Sequence, residues 1–193
     1  MRKLGSKIEN IKVFMTADLH LFHANMLKWD NMPRRKIFEN THEMHKTIIS
    51  NWNSVIDDDD IVYLLGDVCM KNGRMARNII EQLNGRKRLI IGNHDKYKEV
   101  KKFEDLFEFV DNYESINYLY KEKYHQIVMS HYPFQSWDRK HYGSIMCHGH
   151  VHSKEQNPKN RILDVGIDSD FANFYPILLD DIIKYMENIT FNK

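Results

Sequence analysis

Five short clusters of oxygen- and nitrogen-bearing side chains punctuate the 193 residues: Asp18-Leu-His20, Gly66-Asp67, Gly92-Asn-His-Asp95, His131 and Gly149-His-Val-His152. Histidine is abundant, with 11 copies, and several fall in these clusters. Imidazole suits Zn, Fe, Mn and Ni, whereas carboxylate and amide oxygens suit Mg and Mn. Asp-x-His and His-x-His put two donors on the same side of an extended turn, because residues i and i+2 project alike. A carboxylate has two oxygens and can bridge two cations. Two cations about 3.5–4 Å apart clamp a phosphate and supply a hydroxide nucleophile near neutral pH.

Each cluster follows a segment that reads as a strand. Ile11–Ala17, Ile61–Leu65, Arg88–Ile91, His125–Met129 and Ser144–Cys147 are apolar runs that stop at Asp18, Asp67, Asn93, His131 and His150 in turn. Near-continuous apolar strands suit sheets covered on both faces, and in open α/β sheets ligands bind beyond strand ends. Between them, Thr41–Val55 carries Met44, Ile48, Ile49 and Trp52 at helical spacing, with Thr41 as a cap. Arg74–Leu83, Val100–Phe109 and Asp180–Asn188 also read as helices, and Ile116–Tyr120, Ile162–Gly166 and Ile177–Leu179 as strands. Asp18–Lys36 reads as a long loop, and Asp57–Asp60 as a solvated acidic turn rather than a cation site.

The composition narrows the class. Length points to one domain over residues 1–193. Lys plus Arg (28) nearly equal Asp plus Glu (27), which argues against a protein built to coat nucleic acid and leaves room for a local basic patch. Two cysteines, Cys69 and Cys147, and no apolar leader suggest a cytoplasmic protein. No apolar run is long enough to span a membrane.

Taken in order, the five clusters resemble the blocks of the calcineurin-like metallophosphoesterases: D-x-H, G-D, G-N-H-[DE], H and G-H-x-H. Asp18-Leu-His-Leu-Phe-His23-Ala-Asn25 and Asn51-Trp-Asn53 further resemble a group of compact bacterial and phage phosphoesterases. The resemblance implies an α/β fold of two mixed β-sheets packed as a sandwich and flanked by helices, in four layers α/β/β/α. It implies two divalent cations, with Mn the choice and Ni, Fe, Zn or Mg open. Asp18, His20, Asp67 and His152 would hold one; Asp67, Asn93, His131 and His150 would hold the other.

A hydroxide between the metals would attack phosphorus in line. His94 would contact the phosphate or protonate the departing oxygen, with Asp95 orienting it. Asn93, His94, His23 and Arg34 are expected to touch substrate; solvated-loop readings compete for His23 and for the Arg34–Arg35 pair. Tyr132, Phe134 and Trp137 could stack on a base or simply pack. His148 reads as a packed strand residue or as support for a ligand.

The implied enzyme hydrolyses phosphate esters, with small or nucleotide-type phosphodiesters favoured. A phosphomonoesterase is the alternative. A non-catalytic scaffold on the same fold is disfavoured because no ligand position is missing. Nucleic acid is a less favoured substrate, since repair nucleases of the superfamily carry extra segments this chain has no room for. The sequence carries no signal for oligomeric state.

Overall fold

The structure is a computed structural model that describes residues 2–4, 11–29, 32–152 and 160–189. Two five-stranded mixed sheets form its centre. The first has the order β10-β2-β3-β4-β5, with β2 (Val13–Thr16), β3 (Ile61–Leu64), β4 (Arg86–Ile90) and β5 (Val110–Asp111) parallel and β10 (Ile177–Leu178) antiparallel at the edge. The second has the order β1-β6-β7-β8-β9. There β6 (Glu114–Tyr120) and β7 (Lys123–Met129) form an antiparallel hairpin. β8 (Ile145–His148) and β9 (Ile162–Asp164) continue parallel to β7, and β1 (Arg2–Leu4) runs parallel to β6.

Side-chain alternation assigns the layers. Val13, Met15 and Tyr63 point from the first sheet towards Ile116, Ile127, Met129, Ile145 and Cys147 of the second, and all are buried in one cluster. Phe14, Val62, Leu64 and Leu89 point the other way. They meet Met44, Ile48 and Trp52 of α2 (Thr41–Val55) and Ala76 and Ile80 of α3 (Gly73–Ile80). β2 and β3 are therefore buried on both faces, as their unbroken apolar composition requires. The buried residues of α2 recur at i and i+4, and Asn40, one residue before the expected Thr41, caps it by accepting from Glu43 N–H at 3.0 Å.

The expected fourth layer differs. Among the described residues, the outer face of the second sheet (Val128, Met146) is covered by Trp137 and Phe134 of the 132–144 segment, whose regular structure is a 3-10 turn at Lys140–Tyr142. A loop replaces the helix because two aromatic rings cover this small face. Trp137 also satisfies its indole by donating to Ser144 Oγ at 3.0 Å.

Other differences are local. Val100–Phe109 is not one helix. It holds the end of α4 (Tyr97–Val100) and a 3-10 turn at Glu104–Leu106, then enters β5. The chain must arrive extended, since Glu108 N–H donates to Lys87 O and Phe109 O accepts from Leu89 N–H at the sheet edge. Asp18–Lys36 contains a 3-10 turn at Ala24–Leu27 and one turn of helix, α1 (Arg34–Ile37). Of the acidic run, Asp60 is buried and accepts from Lys12 N–H and Asp57 N–H, so it ties the turn down. α5 (Leu179–Glu187) closes the chain and packs Ile182, Ile183 and Met186 into the inter-sheet core. No helix among the described residues is long and apolar enough to cross a membrane.

Candidate metal centre

β2, β3, β4, β7 and β8 all end at the same edge of the sandwich, where the two sheets are joined by a bridge between Ala17 and Gly166. That edge collects the donors. Asp18, His20 and His152 offer atoms that all lie within 4.8 Å of one another, and so do Asp67, His131 and His150. His20 Nε2 and His152 Nε2 face each other at 3.2 Å, with Asp18 Oδ1 at 3.8 Å from the first and 4.0 Å from the second. Asn93 Oδ1 lies 2.9 Å from His131 Nε2. Asp67 stands between the sets: its Oδ2 is 3.6 Å from His20 Nε2 and its Oδ1 3.5 Å from His131 Nε2.

The tautomers follow from the partners. His131 Nδ1–H donates to Leu65 O at 2.8 Å, which leaves Nε2 as a lone pair facing the lone pairs of Asn93 Oδ1 and Asp67 Oδ1. His152 Nδ1–H donates to Asp168 at 3.0 Å, so its Nε2 likewise presents a lone pair towards His20. Around His131 Nε2, acceptors that converge without a proton between them repel, and a cation relieves that. The donors are oxygen and nitrogen only. The buried Cys69 and Cys147 thiols are each pushed up to about 12 by burial and are not thiolates near neutral pH. By donor chemistry and convergence, the residues fit a pair of divalent cations.

Electrostatics bear on the same donors, in both directions. Burial raises Asp18 well above the usual carboxylate range, and the charges of Asp164, Asp168 and Asp67 add to it against the pull of His152. Burial lowers His20 and His131, favouring the neutral, ligating imidazole. Burial also pulls on His152, but its bond to Asp168 and the charges of Asp168 and Asp18 outweigh it and leave His152 raised.

The backbone is unusual here. Asp18, His20, Asp67, His150 and His152 all have positive φ, between 47° and 73°. Left-handed conformations of non-glycine residues cost about 1–3 kcal/mol each and gather where function requires them. The glycines flanking these turns leave room for the carboxylates. A Cβ at Gly92 would stand 2.3 Å from Asp67 Oδ1, and one at Gly149 2.5 Å from Asp18 Oδ2.

The remaining candidates divide. His94 is held by its own N–H donating to Asp67 Oδ1 at 2.8 Å, and its partly exposed ring reaches within 3.9 Å of Asp67 Oδ2 on the open side. His23 lies at the same rim, its ring 5.7 Å from that of His20 and 6.1 Å from that of His94. Tyr132 is exposed there, edge-on to His150 at 4.7 Å, while Phe134 and Trp137 are away at the outer face.

Two expectations need correction. Asp95 does not orient His94: its carboxylate accepts from the N–H groups of Asp67, Val68, Cys69 and Gly92 at 2.7–3.3 Å, so both oxygens are spent lacing two ligand loops together. Burial raises it to about 7 against those bonds. Arg34 is not a phosphate clamp. It is fully buried, donating to Asp168 Oδ2 at 2.9 Å, to Leu19 O at 2.8 Å and to Asp18 O.

Asp168 itself carries no assignment from the sequence, although it is the carboxylate that follows a read strand, the signal used for the other clusters. His148 is a packed strand residue, buried, with Nδ1 donating to Gly149 O at 2.8 Å. A cavity of about 430 Å³ is lined by Lys71, Arg74, Lys96 and Lys98 and by Lys102, which is ion-paired with Glu99 at 2.7 Å. It shares Met70–Asn72 with a smaller one that includes His23.

No profile of a known protein family matches the chain. The uncharacterized protein MJ1445 of Methanocaldococcus jannaschii is 34% identical over 184 residues, covering 91% of this chain and 92% of that protein. The Gene 66 protein of Mycobacterium phage L5 is 30% identical over 183 residues, covering 81% and 86%. The crystal structure of AQ665 from Aquifex aeolicus, a protein of unknown function, superposes with a TM-score of 0.70 at 24% identity, over 91% of this chain and all of that one, and so shares its fold.

Proposed function

We propose that this chain, which belongs to the family of the M. jannaschii protein MJ1445 and the phage L5 Gene 66 protein, is a two-metal phosphoesterase of the calcineurin-like type. The observation that carries the reading is the divided carboxylate of Asp67, with one oxygen facing each donor set. In this reading Asp18, His20 and His152 hold one divalent cation, Asn93, His131 and His150 hold the other, and Asp67 is shared. Manganese is the metal we favour. When bound, the pair supplies charge neutralisation at the phosphate and lowers the pKa of a water so that a nucleophile exists near neutral pH.

The chain's own residues do the rest. Leu65 O and Asp168 hold the rings of His131 and His152 with Nε2 inward. Asp95 fixes the spacing of the Asp67 and Asn93 loops through four backbone N–H groups. His94, on the open side of Asp67, contacts a phosphate oxygen and gives a proton to the departing oxygen. That acid matters most for the poor leaving groups of diesters, so small or nucleotide-type phosphodiesters are the favoured substrates. The lysine-lined cavity suits an anionic substrate.

The test pairs turnover of bis-p-nitrophenyl phosphate with that of p-nitrophenyl phosphate in the presence of manganese. Diester turnover that disappears in Asp67→Asn, with the fold retained by circular dichroism, supports the proposal. Turnover retained in that variant refutes the shared role of Asp67.

A further inference from the structure

At the opposite end of the second sheet lies a cavity of about 330 Å³, within the size range of small-molecule sites. It opens where β7 begins, and β7 takes seven residues to reach the metal edge. At about 3.3 Å per residue that is roughly 20 Å.

Its lining is basic. Lys123, Arg139 and Arg161 contribute, and none of the lining residues among those described is acidic. Lys123 and Arg139 form no ion pair among the described residues, so both charges are free to act on an anion in this concave surface.

Two buried polar atoms in this lining lack hydrogen-bond partners: His125 Nε2 and Gln126 Oε1. Their residues are 6% and 9% exposed. The carboxylate of Glu187 lies 3.7 Å from His125 Nε2, outside hydrogen-bond range. Gln126 has already spent its amide nitrogen on Ser115 Oγ at 3.0 Å and Asp138 Oδ2 at 2.6 Å, so its oxygen is held rigidly and needs a donor. Buried polar groups in native proteins are nearly always satisfied. Tyr142, 83% exposed, completes the rim with the Arg139 guanidinium 5.6 Å from its ring. An exposed ring backed by arginine is a stacking platform for a planar ligand.

We propose that this cavity is a second binding site, distinct from the metal centre, and that it takes a nucleotide. The phosphate lies on Lys123 and Arg139, and the base stacks on Tyr142. No metal is required, and the site stands whether or not the metal centre hydrolyses esters.

Calorimetric titration of the full chain with adenosine monophosphate, and separately with inorganic phosphate, tests this. The nucleotide binds more tightly than phosphate. Arg139→Ala and Lys123→Ala each weaken it about tenfold or more, equivalent to 1.4 kcal/mol. Tyr142→Ala weakens the nucleotide but not phosphate. Circular dichroism spectra are unchanged in all three variants and report that the fold is intact. Absence of nucleotide binding at millimolar concentration overturns the proposal. So does binding undiminished in Arg139→Ala and Lys123→Ala, which would place the nucleotide at the metal centre, and so does phosphate binding as tight as the nucleotide.

Discussion

Replacing Arg34 with methionine removes the guanidinium while keeping most of the side-chain volume. In the native protein that group is wholly buried and spends its donors on Asp168 Oδ2, Leu19 O and Asp18 O. Its loss leaves the Asp168 carboxylate, itself fully buried at the side chain, with only the His152 ring as a partner. Breaking one partner of a buried ion pair costs about 3–5 kcal/mol. The two carbonyls left without a donor push in the same direction, and the contributions are not additive.

Urea unfolding is the assay. With a slope near 2 kcal/mol/M, the midpoint should fall by roughly 2 M with little change in slope. The Asp168→Asn background separates the ion pair from packing, because there the arginine has no carboxylate to neutralise and its removal should cost much less. Metal affinity should also drop, by about 10–100-fold, because Asp168 orients His152 and Arg34 anchors the turn that carries Asp18. A midpoint shift under about 0.5 M together with unchanged metal affinity would refute the reasoning, and Arg34 would be an incidental buried cation.

Three further outcomes are expected. His94→Ala should lower kcat on the diester by about 10²–10⁴-fold with metal content unchanged by elemental analysis; loss of metal in parallel would instead make His94 a ligand. Gly149→Ala places a methyl carbon 2.5 Å from Asp18 Oδ2 and 2.6 Å from Ala17 Cβ. It should therefore destabilise by about 1–3 kcal/mol and reduce metal uptake, whereas a fully metal-loaded, native-like variant would show that the turn yields freely. His45 accepts the N–H of Phe22 at Nε2 and is held down to about 4, by burial first and then by the charges of His42 and Arg34. Its unfolded value is near 6.5, so the unfolded chain binds the proton first. Its contribution is complete above about pH 6.5 and is lost as pH falls towards 4, by at most about 1.4 kcal/mol per pH unit. His45→Gln should flatten that part of the stability curve, and identical slopes would contradict the assignment.

The strand ends were legible because a buried strand has to be apolar, so the polar cluster that stops it stands out. Asp18, Asp67, Asn93, His131 and His150 were found that way, and each lies where the sheets share an edge. What the sequence did not reveal was how the second layer of side chains is spent. Asp95 neighbours His94 along the chain, yet its carboxylate serves the backbone of a loop 28 residues away at Asp67 N. Arg34 sits in a polar stretch that composition reads as solvated, but one helical turn drives it inward to a carboxylate 134 residues later. Such pairings depend on tertiary geometry and leave no periodic trace. β1 was missed for a related reason: an edge strand is held by main-chain bonds to Ile116–Tyr118, which need no apolar pattern. Val100–Phe109 failed in the opposite sense, since its aromatic spacing suits a helix while the sheet edge demands an extended arrival.

The account depends most on Asp67 serving two cations at once. Elemental analysis of the purified chain, after equilibration with manganese and removal of unbound metal, measures this directly. The account predicts about two ions per chain for the native protein, as two-metal sites of this kind hold, and a clear drop for Asp67→Asn. A native chain holding one ion or none, or an Asp67→Asn variant that keeps two, would contradict it.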